Sequence, residues 1–241
     1  MGNDSSNIEN YRVPTHKLVA SRSMCNWCFH TLIDALQHPN RSINKKMLKP
    51  DFVNDMPDPS IQTPLFVTWE NYDKDQSAWQ CRGCIGNLSP LPLATDLTEY
   101  ALISALRDRR FKPIALEELP SLRVAVSLLV DYEDCKDAYD WTIGIHGIFI
   151  EFRLDGQRFS GTYLPDVLIG RGWDHAKTIS LLVKKAGYNG AITTELLNKI
   201  RCTRYQSSKC HVTYAEYVDT KCKGVDPISN TKSTKKSFSF R

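Results

Sequence analysis

The sequence predicts an α+β fold: a mixed, largely antiparallel sheet flanked by helices, built as a larger lobe with a smaller lobe packed on it. Three observations carry this. Alternating apolar stretches come in hairpin-like pairs, amphipathic helical stretches fall between them without a regular strand-helix-strand rhythm, and no clean linker divides the chain. With 241 residues, 41% hydrophobic and 24% charged, the chain can fill one sizeable core without disulfide staples. The boundaries that follow are a loose start at residues 1–15, a folded body over 16–220, and a basic, disordered tail over 221–241.

Taken in order, residues 16–36 place Val19, Met24, Trp27, Cys28, Leu32, Ile33 and Leu36 at three- and four-residue spacing, one face of a helix that His38-Pro39-Asn40 stops. Residues 41–63 are rich in lysine, arginine and proline, which reads as an irregular connection. Leu65–Tyr72 (LFVTWENY) and Trp79–Ile85 flank a charged turn and pair as a hairpin. Asp96–Arg107 is helical, with Thr95 or Asp96 to cap it. A short helical turn falls in 113–120, and Leu122–Tyr132 (LRVAVSLLVDY) is a buried or half-buried strand. Two short strands, WTIGIHG and IFIEFRL, are expected within 140–154 with Gly147 as their turn. A strand end and proline break follow at 162–168, then an amphipathic helix over 174–186 that Gly187 ends. A last helix over 194–200 and a short strand near 211–214 complete the body.

The formal net charge of +4 belongs to the tail. From Lys221 to Arg241 there are six basic residues and one acidic, +5 together, which leaves about −1 for the preceding residues. The body thus lacks the strong basicity of a phosphate-reading surface, and weak nucleic-acid contact is expected from the tail. No run of 18 apolar residues occurs, so no membrane span is expected. The start, MGNDSSNIEN, lacks the character of a secretory leader, which points to the cytoplasm, with the nucleus as a second address. Gly2 with Ser6 meets the minimal myristoylation pattern and no more than that.

Eight cysteines in a chain of this kind are expected reduced. CNWC (25–28) and CRGC (81–84) have the spacing of thiolate pairs in zinc sites. CNWC, however, falls inside the amphipathic helix, where cysteine packs as a small hydrophobe, so no metal is expected. Cys81 and Cys84 do not precede a helix, which argues against a thioredoxin-like pair; in a regular strand they point to opposite faces and need a bend to meet. Gly83 and Gly86 then allow close approach of a ligand or of another strand, and Arg82 offers a fork of donors for a carboxylate or phosphate. A plain buried corner explains the stretch equally well. There is no P-loop, GxGxxG or HExxH, and no cofactor is expected. His146 lies between glycines, where it serves either the turn or a catalytic arrangement; Asp108 and Arg110 lie in a charge run, RDRRF.

Several blocks in one order are recognisable: RGCIG (82–86), LRDRRFKPI (106–114), ELPSLRVAVSLL (118–129), DWTIGIHGIFIEF (140–152), TYLPDV (162–167), LLVKKAGYNG (181–190) and RYQSSK (204–209). Together they resemble the AMMECR1 domain family over roughly 16–217. The resemblance implies an α+β fold of two lobes and no established activity. It also implies recurring polar residues at Arg82, Cys84, Asp108, Arg110, Asp140, His146, Glu151 and Arg204. Cys81 stands where the family's LRGCIG has leucine, which implies an apolar strand position, and Arg109 stands where serine is usual.

Two functions follow as expectations. One is an intracellular binding or regulatory module for a protein partner or small molecule. The other is an enzyme acting on a small anionic substrate, with Cys84 as nucleophile, His146 as base and Asp108 beside them, and with Arg82, Gly83, Gly86, Arg110, Asp140, Glu151 and Arg204 binding the ligand. Whether the chain is an enzyme is left open by the sequence.

Overall fold

The computed structural model describes residues 18–39, 50, 52–53, 60–169 and 171–223. The expected loose start, most of the 41–63 connection and the tail beyond Lys223 lie outside the described residues. Six strands form one sheet in the order β2-β1-β3-β6-β4-β5. They are β1 Gln62–Asp73, β2 Ala78–Pro92, β3 Leu122–Asp134, β4 Gly147–Leu154, β5 Gln157–Tyr163 and β6 Arg201–Thr213. Every neighbouring pair is antiparallel.

The helices are α1 Arg22–Gln37, α2 Leu93–Leu106, α3 Pro165–Leu168, α4 His175–Lys185, α5 Thr194–Lys199 and α6 Tyr214–Lys223, with a 3-10 helix at Leu116–Ser121. Helix α1 starts later than its apolar pattern suggests, because the Ser21 side chain accepts from the Met24 N–H and sets the N-terminus there.

Alternation along the strands puts both cores on one face of the sheet. Leu65, Val67 and Trp69 of β1, with Val124, Val126 and Leu128 of β3, pack under α1 and α2. Ile148, Ile150 and Phe152 of β4, with Phe159 of β5 and Cys202 of β6, pack under α4 and α5. These two clusters are the larger and smaller lobes, joined by the continuous ladder of β6. The sheet curls away from the helices into a half-barrel, so that Leu88 of one edge strand and Thr162 of the other line the same concave space.

Four further elements differ from the sequence reading. Residues 141–146 form turns instead of a strand, so β4 pairs with β5 across a tight Asp155-Gly156 turn in which both residues have positive φ. Strand β2 runs on to Pro92. Strand β6 is long and central rather than short, and α6 follows it directly. Helix α2 begins after Pro92 without a side-chain cap; Thr95 instead donates back to the Pro92 carbonyl.

Candidate functional site

CRGCIG lies on the edge strand β2, and its glycines serve packing. A Cβ on Gly83 would sit 2.2 Å from the Ser104 carbonyl oxygen of α2, and one on Gly86 would sit 2.3 Å from the Leu65 carbonyl of β1. The close approach that glycine permits is therefore to a helix and to a neighbouring strand. A bulge leaves Arg82 unpaired between Gly83, opposite Trp69, and Cys81, opposite Glu70. That bulge is the bend the sequence reading required: it returns Cys81 to the face that carries Cys84. It also leaves Cys81 exposed, which corrects the expectation of an apolar strand position.

Arg82 is consumed by the fold. Its Nε and Nη2 donate to the two Glu118 carboxylate oxygens at 2.7 and 2.9 Å, and Nη1 and Nη2 donate to the carbonyls of Lys112 and Pro113. Burial alone would raise the Glu118 carboxyl, but the Arg82 fork and the Ala115 N–H outweigh it and hold the group below its usual value.

Asp108 and Arg110 close the edge of the sheet. On β2 the N–H and C=O of Cys84 have no strand on their outer side. The Asp108 Oδ2 accepts from the Cys84 N–H at 2.9 Å, and Arg110 Nη2 donates to the Cys84 carbonyl at 3.2 Å. Two further bonds, from Arg110 Nε and Nη2 to the Asp108 oxygens at 3.0 and 2.7 Å, hold the pair in place. Asp108 thus acts as the acceptor, and Arg110 as the donor, that a seventh strand would have supplied. The Arg110 hydrogen bonds come first among the causes that hold the Asp108 carboxyl far below the carboxylate range.

Cys84 faces away from the helices, in register with Thr68 and, one strand on, Ala125. Its sulfur accepts from the Thr68 hydroxyl at 3.0 Å. Burial raises the thiol above its usual value, and the Thr68 bond offsets only part of this. The group is a neutral thiol at pH 7.

His146 lies just before β4, with three strands between β4 and β2 in the sheet order. Its Nδ1 accepts from the Thr142 N–H at 2.9 Å, fixing the turn of which it is part. Among the described residues no hydrogen bond or ion pair joins His146 to Cys84 or Asp108. The structure therefore joins Cys84, Asp108 and Arg110 by hydrogen bonds beside Arg82 and the two glycines, and shows no such bond from His146 to them. Arg204 and Asp140 form a second group: Arg204 donates to Glu133 and to both the carbonyl and carboxylate of Asp140, pinning the 135–146 segment to β6. Glu151 is paired with Arg158 across the β4-β5 hairpin.

A different set of residues lines the concave face. Leu88, Tyr132, Phe149, Thr162, Thr203 and Tyr205 line a shallow recess of about 10 Å³ that opens to solvent. Tyr132 and Tyr205 stack with ring centroids 5.1 Å apart. Tyr205 shares a 2.6 Å hydrogen bond with the Thr162 hydroxyl and donates to the Tyr163 carbonyl; burial raises its phenol above the ordinary tyrosine value. Of these six, the sequence points to Tyr205 alone, which with Arg204 in TRYQSSK reads equally as part of an ion-pair network or as a pocket wall. Strand alternation could have assigned Phe149, Thr203 and Tyr205 to one face, but the curl that carries Leu88 to them joins residues far apart in the chain.

Among the described residues no cluster of three or more His, Cys, Asp or Glu side chains is arranged to hold a metal ion, and no helix is long and apolar enough to cross a membrane. The AMMECR1 family model matches residues 25–210, a span that takes in both lobes and both groups of polar residues. The chain belongs to the AMMECR1 family. An uncharacterized protein of Arabidopsis thaliana is 44% identical over 201 residues, covering 83% of this chain and 88% of its own length. One from Schizosaccharomyces pombe is 38% identical over 200 residues, covering 82% and 95% respectively. The crystal structure of an uncharacterized protein from Pyrococcus horikoshii superposes with a TM-score of 0.60 at 23% identity, covering 78% of this chain and 89% of that one; the likeness is one of fold. The names of these relatives and of that structure state no activity.

Proposed function

We propose that this AMMECR1 chain is a binding module whose ligand, a small molecule or a side chain of a protein partner, enters the concave face of the half-barrel. The observation that carries the reading is the aromatic and hydroxyl-lined space between Leu88, Tyr132, Phe149, Thr162, Thr203 and Tyr205. The recess is shallow, so its apolar walls and few fixed hydroxyls suit the edge of a small aromatic group bearing one polar atom, held against Tyr132 and Tyr205 and not swallowed whole. The groups that catalysis would need are meanwhile engaged in other work: Asp108 on the β2 edge, His146 on its own turn, Arg82 on Glu118.

The test is an NMR titration of the ¹⁵N-labelled protein with p-cresol and indole, mimics of tyrosine and tryptophan side chains. Shifts confined to amides around Phe149, Thr203 and Tyr205, and lost when Thr203→Trp fills the space, support the reading. Shifts that scatter over the surface, or persist in Thr203→Trp, refute it.

Catalysis by Cys84 on a small anion is the competing reading, and alkylation separates the two. With iodoacetamide at pH 7, peptide mapping should show Cys81, Cys210 and Cys222 modified before Cys84, and Cys84 reacting at least tenfold more slowly than a free model thiol. A Cys84 that reacts faster than the model thiol would restore the nucleophile.

A further inference from the structure

Cys25 in the N-terminal half of α1 meets Cys210 of β6. Cys25 lies in the first turns of α1, fully buried, and its thiol donates to the Cys210 carbonyl at 3.3 Å. Flanking ties fix this contact: the Ala20 N–H donates to the Ser208 hydroxyl at 3.0 Å, and Arg22 pairs with Glu216 at 3.1 Å. The helix end therefore cannot slide relative to the strand without breaking several interactions. Cys210 is half-buried and open to a small oxidant, whereas Cys25 is fully buried.

We propose that Cys210 and Cys25 form a peroxide-sensitive site, with Cys210 as the sulfur attacked first and Cys25 as the resolving thiol. The Cys210 thiolate attacks one oxygen of hydrogen peroxide, the O–O bond breaks, and hydroxide leaves, giving a sulfenic acid at Cys210. The Cys25 sulfur then attacks the Cys210 sulfur. The S–O bond breaks, and the departing hydroxide takes the Cys25 proton as water. The two thiols have lost two electrons and two protons, and the peroxide has become two waters. The product ties α1 to β6.

The surroundings favour this order of events. The neighbouring Cys25 side chain lowers the Cys210 thiol below its ordinary value against the opposing effect of burial, and Arg22 adds to the lowering while Glu216 opposes it. Cys25 is raised and remains the proton donor of the pair. The molecule holds an internal comparison. Cys135 and Cys202 face each other where the β3-β6 ladder continues, with the Cys135 N–H donating to the Cys202 carbonyl at 2.9 Å. Directly opposed antiparallel residues have Cα atoms about 5 Å apart, within the range a disulfide spans. Burial, however, raises both of those thiols, so that pair has the geometry without the thiolate.

The experiment uses the full chain carrying Cys81→Ser and Cys222→Ser, to remove the exposed thiols, treated with equimolar hydrogen peroxide at pH 7. Expected is a band of faster mobility on non-reducing gels, since the link closes a loop of 185 residues, with a Cys25–Cys210 peptide pair by mass spectrometry and reversal by dithiothreitol. Adding Cys210→Ser abolishes the link. Adding Cys25→Ala abolishes it too, but leaves a Cys210 sulfenic acid that dimedone traps, which shows that the variant is folded and reactive. A link at Cys135–Cys202 in preference, over-oxidation of Cys210 without a link, or intact thiols at both positions would each overturn the proposal.

Discussion

Gly83→Ala is expected to cost roughly 2–4 kcal/mol of stability, measured as the shift in urea midpoint at unchanged m-value. The added methyl would lie 2.2 Å from the Ser104 carbonyl oxygen, and that oxygen belongs to helix backbone that cannot rotate away. The only relief is to lift α2 from β2, which opens the contacts of Ala101, Ala105 and Leu97 in the larger core. Gly86→Ala meets the Leu65 carbonyl and the Phe66 ring at the same range and should fall in the same class. A loss below about 0.5 kcal/mol for Gly83→Ala, the scatter of ordinary surface substitutions, would show that α2 adjusts freely and that the glycine is not required for packing.

This outcome separates two explanations of CRGCIG that sequence alone leaves level. A glycine that admits a ligand and one that admits a helix look the same in one dimension. What distinguishes them is which element crosses the strand, and that depends on contacts between residues some twenty positions apart. The same limit explains the rest of the site. The charge run at Asp108 and Arg110 reads as a solvated helix end, and its role on β2 emerges only because β2 is an edge strand. Being an edge also explains why β2 outruns the sequence reading: Pro90 and Pro92 lack an N–H, which a central strand would need and an edge strand does not.

Other misses had signals in plain view. Asp155-Gly156 between FRL and QRF is a strong two-residue hairpin signal, and it outranks Gly147 as the turn. Thr213 and Glu216 form a capping box, with Glu216 Oε2 accepting from the Thr213 N–H at 2.8 Å and the Thr213 hydroxyl accepting from the Glu216 N–H; the T-x-x-E pattern announces α6. Strand β6 had weaker signals. Its polar residues are spent on ties from other elements, such as Ser208 to Ala20, and on salt bridges of Arg204 and Lys209, so it lacks the alternation that marks a central strand. The apolar helix faces and the hairpin of β1 with β2 were legible because each satisfies its pattern locally.

Asp108→Ala should cost about 3 kcal/mol, and Asp108→Asn about half of that. The ion pair with Arg110 accounts for little of this, since the Arg110 side chain is 61% exposed and rehydrates once released. The larger part comes from the Cys84 N–H, which loses its acceptor on the edge of the sheet; asparagine keeps an oxygen there and alanine does not. The pH dependence gives an independent reading. The folded carboxyl is held far below its unfolded value of about 3.9, so its stabilisation is complete above that value and drains away as pH falls through the folded one. Below about pH 4 the wild-type midpoint should therefore fall more steeply than that of Asp108→Asn, and the two curves should converge toward strong acid. Parallel curves would mean that the carboxylate is not what caps the edge. Alanine has a further consequence: with Asp108 gone and Arg110 released, β2 presents an open N–H and C=O at Cys84, a start for pairing with another chain. Light scattering on mild heating should then rise earlier for Asp108→Ala than for a variant of equal stability changed inside the core, such as Leu97→Ala, because the edge rather than the stability decides it.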